Sequence, residues 1–132
     1  SWWTYLSNHP VKIGACLSNK GYSGGNIRES GEFALCIVDQ ALKTAALGCG
    51  MCSGRSTDKA AELGIALTDA KAIAPKVVEA SKVVFECRLS DTVEIGDHTF
   101  YIADVAAVYG DESKKQLYAY DGYGRLGTAI EG

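Results

Sequence analysis

The stretch CGMCSGRSTDK, from Cys49 to Lys59, concentrates residue types that could do chemistry. Its CxxC pair, Cys49 and Cys52, could bind a metal or exchange a disulfide, and the Ser-Gly-Arg and Asp-Lys that follow could hold an anion. A structural zinc site needs four ligands, and the other donors of that kind are three cysteines in apolar runs and two distant histidines. We therefore interpret the pair as two small residues that close a helix, and we predict no metal site.

Two loops rich in glycine and hydroxyl groups have the composition of an anion site. Residues 53–59, SGRSTDK, precede a predicted helix with Thr57 as its expected N-cap, and residues 18–25, SNKGYSGG, precede another. A helix N-terminus offers unpaired N–H groups and a partial positive charge, to which Lys59 and Arg55 add full charges. Ordinary capping explains each loop alone, but two such loops in one small domain favour a phosphorylated ligand.

The remaining candidates are aromatic or isolated. Trp2 and Trp3 supply surface either for core or dimer packing or for a flat conjugated ring. His98 is a lone histidine after a Gly-Asp turn, and such residues are more often structural than catalytic. GYGRLG matches GxGxxG by letter, but only five residues follow Gly127, too few for the helix of a dinucleotide fold. Because no nucleophile, base and orienting group occur together in sequence, we expect a bound cofactor to do the chemistry.

Composition restricts the class of protein. The 132 residues, 47% hydrophobic and 22% charged, suit one globular domain with a hydrophobic core. A net charge of −3 offers no positive field to nucleic acid, and no apolar run approaches the roughly 20 residues that span a bilayer. Five scattered cysteines, an odd number, argue against a secreted disulfide framework. We expect no nucleic-acid or membrane partner, no signal peptide and a cytoplasmic location.

These residues must be positioned by a mainly β domain. From Lys82 the hydrophobic period is two, and a turn at Gly96-Asp97 leads into a long strand, HTFYIADVAAVY. Upstream, VKIGACL and EFALCIV are predicted to be strands. Three short helices are also predicted: GNIRES, ended by Gly31, QALKTAALG, capped by Asp39, and TDKAAELG. A meander with small helices between its strands predicts a closed or nearly closed barrel, because closure removes exposed sheet edges.

Several short motifs follow one another in a recognisable order. They are Ser1-Trp2, Pro10 to Ile13, Tyr22-Ser23, Ile27 to Phe33, SGRSTDKA with Ala60 in place of an aromatic, and Ile95-Gly-Asp-His98. In this order they resemble the flavin reductase-like family of FMN-binding split barrels, which includes the flavoredoxins. The resemblance covers nearly the whole chain. It implies a mainly β, Greek-key split β-barrel with short peripheral helices, with residues 1–132 forming a single domain that lacks the family's N-terminal strand.

The resemblance also implies a role in flavin binding for each matched residue. Ser1 and Trp2 would lie along the polar edge and the face of the isoalloxazine. Ser18 and Ser23 would donate hydrogen bonds to ribityl or phosphate oxygens. Lys59 would balance the charge of the phosphate. The CxxC stretch would then serve the flavin phosphate through Lys59 rather than a metal.

The implied activity is that of an oxidoreductase, with His98 as the catalytic residue beside the flavin or the entering nicotinamide and Tyr123 covering the ring. Bound FMN would take hydride from NADH or NADPH and pass electrons to a flavin or a small redox protein, such as a rubredoxin-like or other iron protein. The family usually forms homodimers with the flavin near the interface. Two alternatives stay open: a flavoredoxin-type electron carrier without NAD(P)H activity, and a flavin-free split-barrel ligand-binding protein.

Overall fold

The computed structural model describes residues 2–122 and 124–129, which form antiparallel strands with short helices between them. The strands are β1 (Trp2–Asn8), β2 (Val11–Ser18), β3 (Glu32–Ile37), β4 (Leu67–Thr68), β5 (Val77–Val78), β6 (Val83–Ile95), β7 (His98–Gly110), β8 (Leu117–Ala119) and β9 (Leu126–Thr128). The helices are α1 (Ser23–Ser30), α2 (Lys43–Met51) and α3 (Lys59–Glu62). Within the described residues, no helix combines the length and apolar character needed to cross a membrane.

Five strands form one sheet in the order β1-β2-β7-β6-β3, and the sheet is strongly curled. The rings of Trp3 in β1 and Phe85 in β6 lie 5.6 Å apart, although β2 and β7 lie between these strands. In a flat sheet three strand spacings would separate them by about 14 Å. Two register shifts in β6, each of which bends a strand, contribute to this curvature. The mainly β, split-barrel architecture expected from the sequence is therefore confirmed.

One apolar core fills the inner face of the sheet, under α1. It consists of Ile13, Ala15, Ile27, Phe33, Ile37, Phe85, Cys87, Tyr101 and Ala103. All five cysteines are free thiols, and burial raises the pKa of the Cys87 thiol to about 12. Cys87 therefore packs as a small hydrophobic residue, as its place in an apolar run predicted.

The predicted strands of the main sheet and the predicted helices between them are present, with two differences. Gly31 ends α1 in the left-handed conformation, with φ at 70°, and the Gly96-Asp97 turn joins β6 to β7. The first difference is β1: residues 2–8 were interpreted only as aromatic surface, but they pair with β2 along their length. Because β1 lies at the exposed edge of the sheet, its residues do not alternate between buried and exposed, which is the pattern that identifies a strand.

The second difference is in β6, where four consecutive residues, from Val84 to Cys87, are buried. Glu86 does point away from the Phe85 side of the strand, as the period of two predicts, yet its side chain is inaccessible to solvent. The irregular residues 69–76 cover it there, and the Lys71 and Ala72 N–H groups donate to its carboxylate. GYGRLG runs into strand β9 and not into a helix, so its match to GxGxxG is accidental.

Candidate functional site

The sheet places three of the predicted residues, Trp2, Ser18 and His98, on one face. Trp2 lies opposite Cys16, which lies opposite Phe100, and Ser18 lies opposite His98. Directly opposed residues of neighbouring strands share a face, so these residues form two adjacent rows. The Trp2 and His98 rings stack, with centroids 4.6 Å apart and planes 15° apart. A tryptophan, a histidine and a hydroxyl are thereby brought together at the start of β7.

His98 is oriented by its neighbour in the turn. Its Nδ1 lies 2.7 Å from Asp97 Oδ1, and this hydrogen bond holds the pKa of the Asp97 carboxyl below its usual range. With Nδ1 donating to the carboxylate, a neutral imidazole keeps its lone pair on Nε2. The turn therefore holds the ring with Nδ1 toward Asp97 and Nε2 away from it.

A hydrogen-bond network centred on the buried Thr99 ties the loop of residues 18–25 to this turn. Thr99 Oγ1 donates to Asn19 Oδ1 at 2.6 Å and accepts from Arg28 Nη2 at 3.2 Å. The Asn19 N–H donates to the Asp97 carbonyl at 2.9 Å. Thr99 is only 1% exposed, so its hydroxyl is shielded from water, whereas Asn19 and Arg28 are exposed. Sequence reasoning missed this network, although a threonine beside His98 in an apolar strand was a signal for it.

The other two predicted residues that the structure describes, Ser23 and Lys59, line one cavity of about 400 Å³. This first cavity lies where the loops of residues 18–25 and 53–59 face each other. Its lining consists of Gly21, Tyr22, Ser23, Asn26, Cys52, Ser53, Gly54, Thr57, Asp58 and Lys59. Hydroxyl groups, glycine backbone and one ammonium group are the donors that a phosphate takes in proteins. These donors suit the phosphate end of a flavin mononucleotide, and the one carboxylate in the lining, Asp58, accepts from the Ala61 N–H through Oδ1.

Direct contacts hold the two loops together. Arg55 Nη1 donates to the Lys20 carbonyl at 3.2 Å, and the Arg55 guanidinium lies 5.6 Å from the centre of the Tyr22 ring. Gly54 passes under the same ring, where a Cβ would come within 2.9 Å of Tyr22 Cδ1. The close approach of the loops therefore depends on glycine at this position.

Lys59 has a structural role that the sequence did not indicate. Its Nζ donates to the Cys49 carbonyl at 2.7 Å, which satisfies a free carbonyl at the C-terminal end of α2. An ammonium group has three donors, so further donors face the cavity. The prediction of Thr57 as N-cap was wrong: α3 begins at Lys59, and Asp58 caps it by accepting from the Ala61 N–H at 3.2 Å.

The CxxC pair lies at the end of α2. Cys49 belongs to its last turn and Cys52 follows it, with Sγ donating to the Gly48 carbonyl at 3.3 Å. Burial raises the pKa of the Cys49 thiol, and the neighbouring Lys59 charge only partly opposes this. Over the described part of the chain, no three Cys, His, Asp or Glu side chains cluster as metal ligands. The geometry is that of residues closing a helix.

The predicted residues thus form two groups joined by one loop. Ser18 begins this loop on the sheet face with Trp2 and His98, and Ser23, where α1 begins, lines the first cavity with Lys59. Trp2 and His98 do not themselves line that cavity. Two further residues assigned to flavin contact, Ser1 and Tyr123, lie outside the described residues.

Comparison with known proteins finds sequence relatives, similar solved structures and a family. An uncharacterized protein from Archaeoglobus fulgidus is 28% identical over 114 residues, which are 86% of this chain and 64% of that protein. An FMN-binding protein from Thermus thermophilus, solved with p-hydroxybenzaldehyde, superposes with a TM-score of 0.88 at 22% identity, over 99% of this chain and 76% of that one. The flavoredoxin of Desulfovibrio vulgaris gives the same TM-score of 0.88, the same 22% identity and the same coverage, 99% and 76%.

The chain spans less than two thirds of the length of the Archaeoglobus relative. At 22% identity, the two solved structures show only that this chain shares their fold. The family assignment rests instead on the sequence profile of the flavin reductase like domain, which matches residues 1–127. Because that match covers nearly the whole sequence, in the order of the motifs noted above, the chain belongs to the flavin reductase-like family.

Proposed function

We propose that this chain binds FMN and transfers reducing equivalents from NADH or NADPH to a flavin or a small redox protein. The observation that carries the proposal is the meeting of two loops, residues 18–25 and 53–59, at one cavity lined by Ser23 and Lys59. One of these loops starts beside the Trp2–His98 stack. In this proposal the cavity takes the phosphate and the Trp2–His98 face takes the planar ring, and only the four residues 19–22 separate Ser18 from Ser23.

Each residue has a definite task in this proposal. Lys59 and the Ser23 hydroxyl hold the phosphate, and Ser18 donates to the ribityl chain. Trp2 covers the ring face and keeps water from it, with Ser1 at the polar edge. His98, whose orientation Asp97 fixes, presents Nε2 to the ring or to the nicotinamide beside it. When bound, FMN supplies the capacity to accept hydride, and the protein supplies position and shielding.

An absorbance spectrum between 300 and 500 nm of the purified protein tests the proposal most directly. Flavin bands in the protein as purified, or after incubation with FMN, are expected. A protein that stays colourless after incubation contradicts the proposal and favours the flavin-free ligand-binding alternative. Mixing the loaded protein with NADH or NADPH then tests the enzyme activity, because prompt bleaching reports reduction of the flavin.

An electron carrier of the flavoredoxin type is the second candidate. The observation in its favour is that the solved flavoredoxin superposes on this chain as closely as the FMN-binding protein does. A carrier would take up FMN but would not bleach with either pyridine nucleotide. It would bleach only when a reduced protein partner, such as a rubredoxin-like iron protein, was added.

We further propose that the chain works as a homodimer, with the flavin near the interface. Support comes from the sheet face that carries Trp2 and His98, because the neighbouring side chains Val93 and Ile95 are apolar and 43% and 53% exposed. Exposed apolar groups in one contiguous patch are typical of an interaction surface.

A further inference from the structure

The CxxC pair lies at the wall of the first cavity, and the proposed function gives its thiols no task. Cys52 lines that cavity, and Cys49, three residues earlier, belongs to the last turn of α2. The Cys52 thiol donates to the Gly48 carbonyl at 3.3 Å, so it contacts the peptide group that joins Gly48 to Cys49. Both thiols are free and half-buried. The structure thus brings two free thiols close together at the end of a helix.

Only a small movement is needed to join the two sulfurs. Residues three apart on a helix have Cβ atoms about 5–6 Å apart, and a disulfide brings its Cβ atoms to about 3.5–4.5 Å. Cys52 follows the last helical residue and has extended backbone angles, with φ at −136° and ψ at 163°, so its side chain can be displaced without changing the helical angles before it. The two residues between the cysteines leave room for this movement. Met51 is 87% exposed, and a Cβ added to Gly50 would meet nothing within 4 Å.

The loop that carries Lys59 depends on the CxxC pair at both of its ends. At its start, Ser53 follows Cys52 directly, and the Ser53 carbonyl accepts from the Thr57 N–H at 3.0 Å. A turn closed by such a bond moves as a unit, so a displacement of Cys52 is passed on to the cavity wall. At the end of the loop, Lys59 Nζ donates to the Cys49 carbonyl at 2.7 Å. The position of the ammonium group therefore also depends on the end of α2.

We propose that Cys49 and Cys52 are a redox-active dithiol, whose oxidation to a disulfide by a peroxide weakens anion binding in the first cavity. This inference rests on the proposed function, because the anion is the phosphate of FMN. A disulfide sulfur has no hydrogen to donate, so oxidation ends the bond from Cys52 to the Gly48 carbonyl. It also draws Cys52 toward Cys49, which moves the start of the loop and the carbonyl that holds Lys59.

The oxidation proceeds in two steps that balance. Burial raises the pKa of the Cys49 thiol and disfavours its thiolate, so the first attack falls to Cys52 on the cavity wall. The Cys52 sulfur attacks one oxygen of hydrogen peroxide and becomes a sulfenic acid, and a water molecule leaves. The Cys49 thiol then attacks that sulfur, the disulfide forms and a second water leaves. The two thiols lose two electrons and two protons, and the peroxide is reduced to two waters.

A second, apolar cavity contains the rival thiol. It has a volume of about 260 Å³, and both Cys36 and Cys49 line it. Cys36 belongs to β3, where it lies opposite Val84 in the ladder with β6. Its backbone therefore cannot approach α2 without breaking the pairing of the main sheet. Cys52 has no such constraint, which favours it as the partner of Cys49.

The test compares the reduced and the oxidised protein. The protein is treated with dithiothreitol or with hydrogen peroxide, the reagent is removed, and peptide mass mapping identifies any disulfide. Titration with FMN, followed by flavin fluorescence, then gives the dissociation constant of each form. The variants are Cys52→Ser, which cannot form the disulfide, and Cys36→Ser, which removes the rival thiol and keeps the pair. Treatment of the oxidised protein with dithiothreitol shows whether oxidation stopped at the disulfide, because the higher oxides of cysteine are not reduced by thiols.

We expect peroxide to link Cys49 to Cys52 and to raise the FMN dissociation constant about tenfold, the usual effect of losing one charge-assisted hydrogen bond. Dithiothreitol should restore the affinity. Cys36→Ser should respond as the parent does, and Cys52→Ser should change by less than about twofold, the range of a neutral substitution. Because coupling is reciprocal, saturating FMN should raise the reduction potential of the pair by about 30 mV, the value of a tenfold change for two electrons.

The possible failures are distinguishable. The absence of a disulfide, a disulfide between other cysteines, or equal FMN affinity of the two forms overturns the inference and leaves FMN binding intact. A response that persists in Cys52→Ser, or that disappears in Cys36→Ser, overturns it as well. A protein that binds no FMN in either form refutes the proposed function, and the inference fails with it.

Discussion

At the scale of single residues, Lys59 links the end of α2 to the first cavity. If it also holds the FMN phosphate, Lys59→Ala should weaken FMN binding by about 1–3 kcal/mol, the usual cost of a lost charge-assisted hydrogen bond. Titrating FMN against the purified variant, with flavin fluorescence as the readout, measures this loss. Lys115→Ala, which removes an exposed lysine on another loop, is the matched control.

The structural contact of Lys59 must be separated from its ligand contact. Because Nζ also donates to the Cys49 carbonyl, the alanine variant could disturb the end of α2. Lys59→Arg keeps the charge and a donor, so it should retain most of the FMN affinity. If Lys59→Ala bound FMN as tightly as the parent, Lys59 would have to be removed from the flavin site.

The two cysteines of the CxxC pair should be dispensable for flavin binding. Cys52→Ser keeps a donor for the Gly48 carbonyl, and Cys49→Ser removes a thiol whose pKa is raised by burial. We expect both variants to keep their flavin content and turnover, measured by absorbance and by NADH or NADPH oxidation. Metal analysis of the parent and both variants is the companion measurement, and a stoichiometric metal lost from either variant would contradict the helix-closing interpretation.

At the scale of secondary structure, the sequence predicted elements well where periodicity or capping was local. The strands from residues 11 and 32 and the hairpin before His98 follow from apolar alternation and from Gly96. Residues 69–76, which we call the clamped segment because Glu86, Glu32 and Arg88 hold its backbone, could not be predicted in the same way. Its conformation depends on Glu86, Glu32 and Arg88, which lie 10 to 44 residues away in sequence and meet it only after β3 and β6 have paired.

Glu86 should therefore contribute to stability far more than an ordinary strand carboxylate. Glu86→Gln replaces an acceptor of two backbone N–H groups and of the Tyr109 hydroxyl by an amide that can satisfy only part of them. We expect it to lower the free energy of unfolding by about 1–3 kcal/mol at neutral pH. Urea titrations followed by tryptophan fluorescence provide the measurement, with Glu94→Gln on an exposed part of β6 as the control.

The effect of Glu86 should depend on pH in a definite direction. The folded pKa of this carboxyl is lowered, so its contribution is complete above the unfolded pKa of about 4.3 and is lost as the pH falls through the folded value. The difference between the parent and Glu86→Gln should therefore shrink below about pH 4. A difference that stayed constant down to that pH would show that the charge of Glu86 does not hold the clamped segment.

At the scale of the whole molecule, the candidate site arises from the way in which the sheet brings distant residues together. Trp2, Ser18 and His98 were assigned one by one from the family resemblance, and their common face follows only from the register of β1, β2 and β7. Composition and motif spacing could not supply that register, because β1 is an edge strand without clear alternation. The meeting of the two loops likewise depends on the close contact of Gly54 with Tyr22.

The same sheet face leads to the last prediction, which concerns the homodimer. Cross-strand pairing places Val93 opposite Phe100 and Ile95 opposite His98, so the rows that carry Trp2 and His98 continue as exposed apolar residues on β6. If a second copy covers this face, light scattering should give twice the chain mass of 14.0 kDa. Ile95→Glu should reduce the mass to that of one chain, because the interface would have to bury an unpaired charge. Val108→Glu, equally exposed at 53% at the far end of β7, should leave the dimer intact. Because the flavin is proposed to lie near the interface, Ile95→Glu should also bind FMN more weakly, and a parent protein that stays a single chain at micromolar concentration would refute the dimer.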